Sequence, residues 1–417
     1  MVIEGNPVSA SSMKPLQRLQ IALLFLAFIL IGATEGGVGV LIPSIQLSYG
    51  LDKAVVSLLF LAGTSGYLTA AILSGLLVEK FGHRNFILFG TAIIFAGAFL
   101  VTLQPPFVLL MLVWLSLGFG IASLDSGVNS YVASWPHNSA ILNYLHGFYG
   151  VGALSGPLAA SFVINNGWSW NNTYYVWCFL AALVLISFRL VFSKPLETAK
   201  QELHTKEAQT SGENVLLAAL KLKVVWLTAL FLFLYVGSEV SLGNWGYSWL
   251  TQQREQVAWF AGWLVSGYWM GLTLGRLTLA RVSQWVGTQR LIWGCLAGTV
   301  SGILILIFLA GTSGVWLAIG LALCGYSLGP IFPTTIALIS NIVPERLLAS
   351  AVGLLVSLGS MGAAFFPWLA GNLAEKLGLW SLLPYLLVLT AIMLLLWLML
   401  FRESGVNSKR PDPENKL

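Results

Sequence analysis

Apolar residues in this 417-residue chain gather into runs long enough to cross a lipid bilayer, and they do so twelve times. The runs lie at about 17–46, 54–78, 85–103, 107–134, 140–164 and 173–192, then at about 224–252, 257–281, 289–310, 314–342, 347–373 and 380–401. About 20 helical residues span the hydrocarbon core. No water is present there to satisfy a bare N–H or carbonyl, so each run is predicted to be a helix that bonds its backbone internally. The fold class is therefore an all-α polytopic membrane protein. Charged residues make up 9% of the chain, against roughly 25% in soluble domains. Little remains for a soluble domain, and the first apolar run is expected to be retained as a span because no cleavage site follows it.

The basic residues give an orientation. With the N-terminus in the cytoplasm, 18 of the 21 Lys and Arg fall on the inner side, and only Lys53, Arg254 and Lys376 fall outside. Both termini and the polar 193–222 stretch are thus expected to be cytoplasmic. Because these charges are scattered among loops, the net charge of +5 does not call for nucleic acid. Cys178, Cys295 and Cys324 lie in apolar runs without CxxC spacing, and no metal site is expected. Trp168, Trp170, Trp316 and Trp380, at span ends, are expected to sit at the membrane interface.

The chain also repeats itself. Ile31-Gly-Ala-Thr-Glu-Gly-Gly-Val-Gly-Val40 places Glu35 within the first apolar run, and Val236-Gly-Ser-Glu-Val-Ser-Leu-Gly243 places Glu239 within the seventh. Gly39 and Gly243 each follow their glutamate by four positions. Ser65-Gly66-Tyr67 is echoed by Ser266-Gly267-Tyr268, Gly82 by Gly287, and Gly118 by Gly325, at offsets between 201 and 207. The predicted organisation is a tail at 1–16, a six-helix bundle at 17–192, a cytoplasmic linker at 193–222, a pseudo-symmetric six-helix bundle at 223–401 and a tail at 402–417. Duplicated halves of this kind place a binding site at the midplane between them.

The loop after the second run reads Gly75-Leu-Leu-Val-Glu79-Lys80-Phe-Gly82-His83-Arg84. It resembles the loop signature of the major facilitator superfamily, and the likeness extends over about residues 15–402. That resemblance implies the twelve-helix major facilitator fold and transport by alternating access, with no enzymatic activity. Gly75 would let two helices approach, and Glu79 and Arg84 would latch the inner helix ends in the outward-open state. A solvated basic loop is the plainer alternative. Arg276, near the inner end of the eighth run, is grouped with this gate and expected to bind carbonyls of a neighbouring helix.

An ionised side chain at a helix centre costs about 2.5–3.5 kcal/mol on insertion scales, so Asp125 in the fourth run calls for a role. Asn129 lies one turn on, on the same face. The fifth run holds Asn143, His146 and Tyr149, with His146 also readable as a satisfied bundle histidine. The span-1 acid, the span-4 acid with its asparagine, and Asn143-x-x-His146-x-x-x-Gly150-x-Gly152 resemble the fucose–galactose–glucose symporters and sodium-dependent glucose transporters. That likeness implies uptake of a hexose with H+ or Na+, with Glu35 and Asp125 in coupling and sugar binding. Glu239, Asn244, Trp245 and Trp249 in the seventh run add the carboxylate, amide and indoles that suit a sugar. Beyond the co-transported ion no cofactor is expected; the other expected partner is the bilayer, and the protein is expected to be a monomer in a bacterial inner membrane. A proton-coupled drug exporter and a non-transporting sensor remain as alternatives.

Overall fold

The computed structural model describes residues 15–133, 135, 139–192, 215–311, 313–340 and 342–403. Their long elements are helices: α1 Pro15–Tyr49, α2 Lys53–Val56, α3 Leu58–Thr102, α4 Phe107–Ala133, α5 Ser139–Asn165 and α6 Thr173–Val191. After α7 Val215–Leu220 come α8 Lys223–Ser248, α9 Ala258–Val286, α10 Thr288–Phe308, α11 Gly314–Leu328, α12 Ile331–Ser340, α13 Glu345–Leu377 and α14 Leu382–Glu403. Ten described segments are long and apolar enough to cross a membrane. One of them joins two crossings, because Gly82 (φ 75°, ψ 156°) breaks the helical path inside α3. A further crossing is α9, whose 29 residues are long enough but include glycines, tryptophans and arginines that dilute its hydropathy. Twelve crossings result among the described residues, so Pro15 and Glu403 lie on one face, here called the termini face.

Only the last part of the 193–222 linker is described. Residues 193–214 lie outside the described residues, but 215–220 form the short helix α7, which packs against α13. Trp226 donates its indole N–H to the Leu220 carbonyl at 2.8 Å, fastening α7 to the start of α8.

The duplication is visible in the packing. In the first half α1 packs on α5, α3 on α4, and α3 on α6; in the second α8 packs on α13, α9 on α11, and α10 on α14. Gly287 has φ 82°, so the paired glycines Gly82 and Gly287 make the same left-handed turn, which glycine adopts without a Cβ penalty. Gly118 of α4 abuts the Gly63 carbonyl and Gly325 of α11 abuts the Tyr268 carbonyl, close enough that a Cβ at either would sit about 2 Å from that oxygen.

The halves meet through α1–α8, α3–α13 and α5–α9, with close contacts gathered toward the face opposite the termini. A Cβ at Gly39 would lie 2.5 Å from the Gly243 carbonyl oxygen, so the two repeated glycines touch backbone to backbone. Nearby, Lys53 Nζ lies 3.9 Å from Glu375 Oε2, and the Lys53 N–H donates to that oxygen at 2.9 Å. Ser266 donates to the Leu154 carbonyl at 2.9 Å. The molecule is shut on that side.

Candidate functional site

Close approach of α1 and α5 sets up the first carboxylate. A Cβ at Gly32 would sit 2.1 Å from the Tyr149 carbonyl oxygen, and at that separation the Tyr149 hydroxyl donates to Glu35 Oε2 at 2.8 Å. Among the described residues no donor reaches Glu35 Oε1, and no cation pairs with the group. Glu35 and Tyr149 border a cavity of about 280 Å³ between the halves. Its wall also takes Thr64, Tyr67, Trp114 and Trp177 from the first half, and Glu239, Asn244, Trp269 and Ser360 from the second.

Asp125 stands behind this wall, not on it. Tyr67, which does face the cavity, donates its hydroxyl to Asp125 Oδ2 at 2.9 Å. Asn129 donates to Asp125 Oδ1 at 2.8 Å, as the four-residue spacing on one helix allows. Two neutral donors thus hold Asp125, and its route to the cavity runs through a phenol.

The second-half acid is held by a charge. Arg276 Nη2 lies 3.1 Å from Glu239 Oε1, the Tyr235 hydroxyl donates to Oε2, and the Tyr268 hydroxyl donates to the Glu239 carbonyl at 2.8 Å. Arg276 Nε also reaches the Gly329 carbonyl at 3.3 Å. The carbonyl contact matches expectation; the gate placement does not, because this guanidinium sits beside a cavity carboxylate and not among the loop residues.

Several expected cavity residues lie elsewhere. Trp245 is fully buried, donates its indole N–H to the Pro367 carbonyl at 2.8 Å and meets Phe60 edge-on, which places it in the seal between the halves. Trp249 is buried against Arg254, whose guanidinium lies 5.0 Å from the ring centre. His146 is exposed, packs edge-on against Phe28 and does not line the cavity. The side chain of Asn143 lies outside the described residues. Trp170, expected at the membrane interface, is instead buried and donates to Ser48 Oγ at 3.0 Å, whereas Trp168 and Trp380 are exposed.

In the latch loop, a Cβ at Gly75 would meet nothing within 4 Å, so no close helix approach occurs there. Glu79 is exposed and forms no ion pair among the described residues. Arg84 turns to the end of α6, where its Nε donates to the Phe192 carbonyl and its Nη2 to the Arg189 carbonyl at 3.4 Å. That is a C-terminal cap. Among the described residues, none of Gly75, Glu79 and Arg84 is hydrogen-bonded or ion-paired to the second half.

Sequence reasoning passed over Tyr67, Trp114, Trp177 and Trp269. The repeated Ser-Gly-Tyr signalled Tyr67, and Trp269 follows its second copy. Nothing in the sequence separates Trp114 or Trp177 from interfacial tryptophans. A proline signal was also available: Pro367 has no N–H, which deprives the carbonyl of Ala363, on the cavity wall, of its helical donor. Among the described residues no cluster of His, Cys, Asp or Glu is suited to hold a metal ion.

Comparison with known proteins gives concordant results. The sequence model of the Major Facilitator Superfamily matches residues 24–260 and 252–417. The chain is 27% identical to Bypass of stop codon protein 6 of Saccharomyces cerevisiae over 413 residues, covering 92% of this chain and 82% of that one. It is 25% identical to the glucose/mannose transporter GlcP of Bacillus subtilis over 350 residues, covering 82% and 85%. The crystal structure of the nucleoside transporter NupG superposes with a TM-score of 0.75 at 16% identity, covering 93% of this chain and 99% of that one.

Proposed function

The chain belongs to the major facilitator superfamily of membrane transporters, and from that premise we propose that it carries a hexose together with a cation by alternating access. The observation that carries this reading is the contrast at the cavity wall: among the described residues Glu35 has one oxygen unbonded and no counter-charge, while Glu239 pairs with Arg276. An ionised Glu35, partly buried beside largely apolar side chains, is stabilised by a positive partner. A proton or a sodium ion can be that partner, and either would have to travel with the carrier. The acid would donate to a sugar hydroxyl when protonated, so that ion and sugar stabilise the same occluded state.

The cavity supports a small polar cargo. At about 280 Å³ it lies near the small end of ligand sites, which run from about 300 to 1,000 Å³. Indoles at 114, 177 and 269 offer faces for the C–H side of a sugar ring, and Glu35, Thr64 and Asn244 offer hydrogen bonds to hydroxyls. The glucose/mannose transporter among the relatives supports the same substrate class. Asp125, tied to the cavity through Tyr67, is the second coupling carboxylate. Lys and Arg placement supports cytoplasmic termini, hence a far face turned away from the cytoplasm; the membrane proposed is a bacterial inner membrane. The latch around Glu79 would then form when the cytoplasmic side closes. A monomer contains the complete site.

The test is hexose uptake into liposomes under an imposed pH gradient or an imposed sodium gradient, together with a thermal-shift screen of monosaccharides, since a ligand stabilises its host by mass action. One gradient is expected to drive accumulation, and Glu35→Gln and Asp125→Asn each to abolish it with folding intact. Uptake indifferent to both gradients removes the coupling. Drug efflux without any sugar-dependent shift favours an exporter, and binding without flux favours a sensor.

A further inference from the structure

Away from the cavity, α3 and α6 enclose an outward-facing groove of about 500 Å³. The two helices run antiparallel here: α3 leaves the termini face just after Gly82, and α6 arrives there at Val191. Asn85 and Arg189 therefore share the edge of the groove nearest the termini face, while Leu88, Phe89 and Ile186 line it deeper in the membrane. The adjacency of the two edges is fixed by Arg84, which sits next to Asn85 and donates to the Arg189 carbonyl at 3.4 Å. Phe89 and Ile186 are more than half exposed, so the apolar floor faces lipid.

Arg189 is exposed and forms no ion pair among the described residues, and no acidic side chain lines the groove. A second groove, of about 530 Å³, lies between α5 and α6 toward the opposite face, lined by Phe162, Trp168 and Tyr175 among others, with no charged side chain. The pair forms an internal control. Two grooves of similar volume with similar apolar floors differ in one guanidinium at the rim.

We propose that the α3–α6 groove is a binding site for an anionic phospholipid, its acyl chain along Phe89 and Ile186 and its phosphate at Arg189 and Asn85. A basic rim above an apolar floor matches an amphiphile with a negative head, and basic pockets between transmembrane helices bind such headgroups. A guanidinium presents several N–H donors in a planar fork that pairs with phosphate oxygens. A zwitterionic lipid such as phosphatidylcholine also offers a phosphate, but its choline cation offsets the attraction to the guanidinium, so a headgroup of net negative charge is preferred.

The test uses the full-length protein, delipidated in detergent, with bound phospholipid counted by native mass spectrometry. Phosphatidylglycerol is expected to be retained about fivefold better than phosphatidylcholine, the selectivity that about 1 kcal/mol per surface arginine gives. Arg189→Gln is expected to erase that preference without lowering phosphatidylcholine binding. Ile186→Trp, which fills the groove, is expected to reduce both lipids, whereas Tyr175→Leu in the uncharged groove leaves the preference unchanged. Equal retention of the two lipids by the wild type, an unaltered preference in Arg189→Gln, or no loss in Ile186→Trp would each overturn the assignment.

Discussion

Around Glu239 a guanidinium and a phenol hold the two carboxylate oxygens, and a second phenol holds the backbone carbonyl. Around Glu35 there is one phenol. The two acids occupy equivalent places in a duplicated sequence and border the same cavity, so the difference belongs to their neighbours. The same residue keeps its position in each half while its surroundings differ. In the second half the carboxylate faces a guanidinium at 3.1 Å. In the first, among the described residues, no cation pairs with it.

That contrast can be broken most forcefully at Arg276. Removing one partner of a buried pair leaves the other uncompensated, at a cost of about 3 kcal/mol or more. Arg276→Gln should therefore lower the thermal melting temperature in detergent substantially, and adding Glu239→Gln should restore most of it. If the double variant melts as low as the single one, Glu239 does not depend on its counter-charge. Next in size comes Glu35→Gln, expected to leave melting unchanged while abolishing accumulation against a gradient. One charge crossing 100 mV is worth about 2.3 kcal/mol, or roughly fiftyfold, so that is the accumulation at stake in a vesicle assay. Retained concentrative uptake would return Glu35 to a structural role.

A smaller effect is expected from Tyr149→Phe, which strips Glu35 of its one donor. Hydrogen bonds to charged groups are worth about 1.5–3 kcal/mol, and part of this loss should appear as a shift of the pH dependence of uptake; Tyr235→Phe should move melting and not that profile. Smallest is Lys53→Gln. Its pair with Glu375 is partly exposed, and such pairs contribute about 0–1 kcal/mol. It should change melting by less than Arg276→Gln or Tyr235→Phe, and raised salt should diminish even that.

Most of the architecture could be read from the chain because the bilayer imposes it. Twelve apolar lengths, the basic loops and the paired glycines at 82 and 287 each answer a constraint that acts locally on sequence. The site was legible only in outline. Glu35, Tyr149, Glu239 and Asn244 border the cavity as their spans suggested, but Trp245 and Trp249, neighbours of Asn244 in sequence, point into packing. Helical phase separates them, and no periodicity marks which side of an all-apolar helix faces the partner half. The Glu239–Arg276 pair was missed for a related cause: 37 residues separate its members, and only the α8–α9 crossing brings them together. Gly75 carries the loop signature, yet a Cβ there would meet nothing within 4 Å.

The meeting of Gly39 with Gly243 has a consequence for leakage. A pore stopped by side chains is as tight as their momentary rotamers; one stopped by main chain pressed on main chain has no swinging parts. The barrier to stray protons at that level is set by the spacing of two helix axes, and neither acidity nor salt has a handle on it.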